Sequence, residues 1–138
     1  MKVELNQVND AVHFEAKGSG PVKIHIDGSP EIGGQDLGFR PMELVLTALG
    51  SCSSLDLISI LKKQRQEIED LSVVVEGERR NEIPKVFTKI NMAFKLKGKI
   101  DPAKAEKAAE LAVKKYCSVH DMLASAGVEI NYTLEIHS

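Results

Sequence analysis

The sequence predicts an α+β fold in one domain spanning residues 1–138, and three observations carry that prediction. Short runs of alternating apolar and polar residues recur near both ends and in the middle of the chain. One long apolar-rich stretch runs from Glu43 to Leu61. Strand and helix runs do not alternate regularly, which argues against a doubly wound parallel sheet. The chain has 138 residues, is 43% hydrophobic and 28% charged. That is enough to bury a single core without disulfide staples.

Val3 to Val8 is a weak strand candidate. Val12–Ala16 and Val22–Ile26 alternate more cleanly, and Gly18-Ser19-Gly20-Pro21 fits a hairpin turn between them. Asp27 to Phe39 is rich in glycine and reads as a loop long enough to carry function. Arg40-Pro41 opens a long helix, with proline suited to the first helical position and Glu43 complementing the dipole. From Leu44 to Leu61 apolar residues fall on nearly every face, so the helix is expected to be buried on most sides.

Leu71–Arg79 and Val86–Leu96 read as two further strands joined by a turn containing Asn81 and Pro84. Asp101-Pro102 is an N-cap followed by a first-position proline, and the helix runs to about Tyr116. Ser118 is a candidate cap for a short helix through Ala126, with Gly127 ending it. Val128–Ile136 alternates as the last strand. The expected order is βββ-α-ββ-α-α-β.

A net charge of −2 gives no electrostatic case for nucleic acid or an anionic membrane surface. Four Phe, two Tyr and no Trp leave few platforms for base stacking. The N-terminus lacks the apolar run of a signal peptide. The stretch Glu43–Leu61 is interrupted by Thr47, Ser51, Ser53, Ser54, Asp56 and Ser59, which reads as too polar for a lipid-facing span. A cytoplasmic protein is expected. In that compartment a cysteine pair is more often catalytic, redox-sensing or metal-binding than structural.

The only cysteines, Cys52 and Cys117, are too far apart for a CxxC motif, and no zinc-ribbon spacing is present. Cys52 lies inside the long helix. Cys117 precedes a short helix, whose free N–H groups and dipole are expected to lower its pKa. The bland alternative is that both are small buried hydrophobes. Cys52, Cys117 and His120 could also form a three-ligand metal site, although zinc sites usually show denser ligand spacing. Asp56, one turn after Cys52, could orient a thiol-side network or satisfy a buried polar contact. His13, His25 and His137 read as ordinary strand residues, and no serine triad or phosphate loop is visible.

The string from Arg40 to Cys52, followed by Asp56-Leu57-Ile58-Ser59-Ile60-Leu61, resembles the first-cysteine helix of the OsmC/Ohr superfamily. Tyr116-Cys117-Ser118-Val119-His120 resembles its second-cysteine turn. The likeness covers nearly the whole chain and is nearest to the YhfA-like branch. It implies an OsmC-like fold in an intertwined homodimer with central cysteine-bearing helices. It also implies a thiol peroxidase in which Cys52 is oxidised by an organic hydroperoxide or hydrogen peroxide. Cys117 then resolves it to a disulfide that a dithiol reductant opens. No cofactor, resident metal, nucleic acid or membrane partner is implied.

Peroxidase members of the superfamily place a glutamate directly after the motif proline, where this chain has Met42 and then Glu43. They also use an arginine to hold the thiolate, and Arg40 is the candidate here. Glu43 and Cys52 are nine residues apart on one helix, a rise of about 13–14 Å and a turn to opposite faces. Glu43 or Arg40 would therefore assist Cys52 from the partner subunit. His120 and Asp56 are candidates for supporting roles around the thiols. The alternative function is a ligand-binding or redox-sensor dimer with little turnover.

Overall fold

In a computed structural model, which describes residues 1–138, the elements follow the expected order. They are β1 (Glu4–Gln7), β2 (Phe14–Lys17), β3 (Lys23–Ile26), α1 (Pro41–Lys63), β4 (Glu67–Arg79), β5 (Phe87–Lys99), α2 (Pro102–Glu110), α3 (Ser118–Ser125) and β6 (Glu129–His137). A short 3₁₀ turn occupies Pro30–Ile32, and a π-helical turn, Leu111–Tyr116, links α2 to α3. The chain divides into two units, residues 1–45 and 46–138.

In the first unit β1, β2 and β3 form an antiparallel meander, with Gln7 opposite Phe14 and Lys17 opposite Lys23. The loop after β3 is ordered by Asp27, a residue the sequence reading passed over. Its buried carboxylate accepts main-chain N–H bonds from Gly28 (2.8 Å), Gln35 (2.9 Å) and Leu37 (3.1 Å). Two further main-chain bonds, Asp27 N–H to Phe39 O and Phe39 N–H to His25 O, close the loop back onto β3. Gly38 is needed there, because a Cβ would meet the His25 carbonyl.

The bond from the Gln35 N–H, with those from Leu37 and Gly28, holds the Asp27 carboxyl below the usual carboxylate range. A depressed folded-state pKa contributes stability above the unfolded value and loses it as pH falls through the folded value. Asp27→Asn is expected to raise amide hydrogen exchange at Gln35 and Leu37 well above that of the wild type at neutral pH. The difference between the two proteins should shrink as the solution is acidified. Unchanged protection at both amides would show that the carboxylate does not order the loop.

The second unit places β5 between β4 and β6, antiparallel to the first and parallel to the second. A parallel pair needs a long crossover, and α2, the π-helical turn and α3 supply it. The alternation of β5 puts Ile90, Met92, Phe94 and Leu96 on one buried face. Opposite them on the neighbouring strands stand Val75, Val73 and Leu71 of β4, and Ile130, Tyr132, Leu134 and Ile136 of β6. Ala105, Ala108 and Ala109 of α2, with Ala112 and Val113 of the π-helical turn, complete the core. Asp101 caps α2 through its bond to the Lys104 N–H, as its sequence predicts.

Two expectations for α1 change. In the single chain it is buried along one stripe, Leu49, Gly50, Ser53, Leu57 and Leu61, rather than on most sides. Its opposite flank carries Ala48, Ser51, Leu55, Ser59 and Lys62 to the surface, with Leu55 68% exposed. The helix also has a mean hydropathy of 1.8 over its most apolar stretch and is long enough to cross a membrane by length and composition. The serines and Asp56 interrupt the segment without offsetting its many Leu and Ile side chains. Against the sheet, Gly50 allows α1 to approach Val75 and Val73 of β4.

Candidate functional site

The buried stripe of α1 has one polar interruption, Ser53, and Cys52 lies beside it. Cys117 comes near Ser53 and Cys52 from the link between the π-helical turn and α3. It leaves the π-helical turn in an extended conformation and becomes the N-cap of α3. The sequence had assigned that cap to Ser118. Instead the Cys117 Sγ accepts the main-chain N–H of His120 at 3.3 Å. Nothing in Leu-Ala-Val-Lys-Lys-Tyr announces a π-helical turn, yet that wider turn sets where Cys117 emerges. Such turns often occur at functional sites.

The Cys52 sulfur is near enough to Cys117 to act on its titration, and both cysteines are free. Cys52 is half-buried and Cys117 is 2% exposed. Burial pushes the Cys117 thiol up from its ordinary value. The Ser53 hydroxyl and the His120 N–H favour its thiolate, while the adjacent Cys52 sulfur, as hydrogen-bond partner and as charge, opposes it. The helix-start argument predicted a lowered Cys117. The predicted N–H contact is present, but desolvation and the neighbouring sulfur outweigh it.

Ser53 Oγ is fully buried, makes no hydrogen bond of ordinary geometry and lies close enough to Cys117 to favour its thiolate. Sequence reasoning missed Ser53 as part of the site. The signal was available as a lone serine on the stripe 49, 53, 57, 61 of an apolar helix. His120 approaches through its main chain, while its buried ring Nδ1 has no partner and burial lowers its pKa. Cys52, Cys117 and His120 do not converge as metal ligands, and no group of three His, Cys, Asp or Glu side chains does. Asp56 lies one helical turn beyond Cys52, half-buried, on the wall of a neighbouring groove.

Arg40 and Glu43 lie in the first unit. Arg40 is the residue before α1, and its main-chain N–H donates to Glu43 Oε1 at 2.7 Å. This is half of a capping box, with the third helical residue reaching back over the helix start. The guanidinium pairs with Asp36 at 3.2 Å. Beside them Leu37, Phe39, Asp36, Gly38 and Glu43 line an open pocket of about 450 Å³, with Leu37 and Phe39 largely exposed.

The arrangement is a pair of neighbouring thiols with unequal access, the more buried one shifted toward its protonated form. Comparison with known proteins places it in a family. The model of the family described as OsmC-like protein matches residues 33–133. Protein YhfA of Escherichia coli strain K12 is 44% identical over 97 residues, 70% of this chain and 72% of that protein. The crystal structure of a hypothetical protein from Aquifex aeolicus VF5 is 33% identical, with a TM-score of 0.82 over 99% of this chain and 97% of that one. An organic hydroperoxide resistance protein, OsmC, from Legionella pneumophila shares the fold alone, at 17% identity and a TM-score of 0.67 over 99% and 96% of the two chains. With the family match spanning most of the sequence and the fold and cysteine motifs in agreement, the chain belongs to the OsmC-like protein family.

Proposed function

We propose that this protein is a thiol peroxidase that reduces organic hydroperoxides or hydrogen peroxide through Cys52 and Cys117. The carrying observation is a half-buried Cys52 set beside a buried Cys117 whose thiol is pushed up by burial. The accessible Cys52 thiolate attacks the outer peroxide oxygen. The O–O bond breaks, an alcohol or water leaves with a proton, and Cys52 becomes a sulfenic acid. Cys117 attacks that sulfur, displaces water and forms the disulfide. A dithiol reductant reopens it by exchange.

The working form in this reading is a homodimer, in which residues 1–138 of each copy are a single OsmC-like domain. Support comes from the exposed flank of α1, where small residues and Leu55 offer a close helix–helix contact in an otherwise apolar helix. Arg40 and Glu43 of the partner subunit would then assist Cys52, and the exposed Leu37 and Phe39 would hold the organic part of the peroxide. The likeness to a protein named for organic hydroperoxide resistance agrees with this substrate class. A two-cysteine cycle that a dithiol reopens suits the reducing cytoplasm. Light scattering should report about twice the 15.1 kDa of one chain, and a monomer would remove the shared site.

Cys52→Ser is expected to reduce consumption of cumene hydroperoxide to the buffer background in stopped-flow with excess dithiol, while the wild type turns over. Equal rates for the two proteins would remove the enzyme reading. A redox sensor of the same fold is the second reading. It is favoured by the pairing of Arg40 with Asp36 and the capping role of Glu43, which occupy the groups that would activate a thiolate. One rapid oxidation followed by negligible turnover, with dithiol in excess, would select it.

A further inference from the structure

His13 and His25 belong to the meander of the first unit, and neither takes part in the thiol chemistry. The register sets Glu15 opposite His25, so strand alternation puts His13, Glu15, Lys23 and His25 on one face. Phe14, Ala16, Ile24 and Ile26 take the other, apolar face. On the polar face His25 is exposed and His13 half-buried. His13 Nε2 lies 2.9 Å from His25 Nδ1, with the ring planes tilted by 47°. At that distance the two rings share one proton.

Three features suit the pair to a cation. Both rings are carried on fixed main chain. The His13 N–H donates to Asn9 Oδ1 at 3.1 Å, its carbonyl accepts the Val8 N–H at 3.0 Å, and the His25 carbonyl accepts the Phe39 N–H at 2.9 Å. Little order is then lost when the two nitrogens take up one ligand. Acidic groups also stand near: the Asp27 charge interacts with His13, and Glu15 faces His25 while pairing with Lys23 at 3.2 Å. The third feature is the spacing. Imidazole nitrogens bind a metal at about 2.0–2.1 Å. Two of them at a right angle stand about 2.8–3.0 Å apart, and two at the tetrahedral angle about 3.3–3.4 Å. The observed 2.9 Å is the right-angled spacing.

We propose that His13 Nε2 and His25 Nδ1 together bind one divalent transition cation of right-angled coordination, Ni²⁺ or Cu²⁺. The cation takes the place of the shared proton. The ring that donates that proton carries it on its outer nitrogen instead, so both facing nitrogens offer a lone pair. Each ring turns about χ2, a broad torsion in histidine, to aim its lone pair at a common point. No third His, Cys, Asp or Glu side chain converges there, so water fills the remaining positions. Tetrahedral Zn²⁺ fits the spacing less well. Binding ties β2 to β3 beside the Asp27 loop and should stabilise the meander by mass action. This inference does not rest on the peroxidase reading, because both thiols lie in the second unit.

The test is calorimetric titration of the full chain with NiCl₂, chosen because Ni²⁺ does not oxidise thiols as Cu²⁺ does. The wild type and the Cys52→Ser variant should both bind one Ni²⁺ per chain, with a dissociation constant of about 100 µM or below. His13→Ala and His25→Ala should each weaken binding by about tenfold or more. The double variant should lose little beyond either change alone, because one imidazole no longer chelates. His137→Gln, at the other end of the chain, should bind as the wild type does. In proton NMR of the wild type, substoichiometric Ni²⁺ should broaden the ring signals of His13 and His25 before those of His120 and His137. Absence of saturable binding up to about 1 mM would overturn the proposal. So would undiminished binding by His13→Ala or His25→Ala, or earlier broadening at His120 or His137. If a histidine variant fails to fold, the broadening order in the wild type decides the same point.

Discussion

Cys117→Ser is expected to leave the first reduction of hydroperoxide intact and to stop the second. A serine hydroxyl fits the space of the thiol but does not displace water from a sulfenic acid. One equivalent of peroxide should be consumed, and Cys52 should then gain about 16 Da in intact mass, the sulfenic oxygen. Multiple turnover should fall by roughly a hundredfold or more, the loss typical of removing a group that acts on the reacting atom. The wild type carries a further signature. Burial keeps Cys117 protonated above the usual thiol range, so its thiolate fraction at neutral pH is small. Disulfide closure should accelerate by about tenfold per pH unit until that raised value is reached. Folding stability should move the other way. A thiol whose folded-state pKa is raised contributes stability below its unfolded value, about 9.0, and loses that contribution as pH rises through the folded value. A Cys117→Ser variant that turns over at the wild-type rate would remove the resolving role.

Most of the fold was legible because its elements announce themselves locally. The alternation of Val86–Leu96 becomes the buried face of β5, and Asp101-Pro102 starts α2 where the capping rule puts it. Boundaries drifted where the signal was weak: β4 begins at Glu67, four residues before the expected Leu71, in a segment whose charges hide the alternation. The long helix was placed correctly, but its burial was not. Apolar residues on every face say that every face needs cover, and a single chain covers only the stripe from Leu49 to Leu61. The sequence carries the need for cover without saying which molecule provides it.

The site was legible in its residues and opaque in its balance. The cysteine motifs pointed to Cys52 and Cys117, and the fold brings the two thiols near each other across 65 positions of sequence. The helix-start rule correctly predicted an N–H at Cys117 and gave the wrong direction for its pKa. Desolvation depends on what packs around a side chain, and here that is Ser53, Cys52 and the end of the π-helical turn. None of these is near in sequence to Cys117 except the last. Asp27 was missed for a similar reason. A lone aspartate in a glycine-rich loop reads as a turn residue until its three N–H partners, up to ten positions away, are seen to share it.

Gly50→Leu should unfold or severely loosen the second unit, and Gly50→Ala should be close to neutral. The two outcomes follow from one contact. A Cβ on residue 50 would stand 2.8 Å from Val75 Cγ2, tighter than carbon atoms ordinarily approach, and 3.6 Å from Val73 Cγ1, an ordinary contact. For alanine the single short approach, to Val75 Cγ2, is relieved by a small shift of α1 away from β4 at about 1 kcal/mol. Replacing a helix-interior glycine by alanine gains about 1 kcal/mol of helix propensity, so the two terms nearly cancel. Leucine adds three more carbons where β4 leaves no space. It must force α1 from the sheet, at a cost of about 3 kcal/mol or more. The stiff χ1 of valine prevents β4 from yielding instead. Cys52 is two residues further along α1, so the same displacement should part its sulfur from Cys117. Urea denaturation of both variants measures the stability difference, and diamide titration with thiol counting measures whether the disulfide still closes. A Gly50→Leu protein as stable as the wild type and closing the disulfide as fast would show that α1 does not depend on this close approach to position the dithiol.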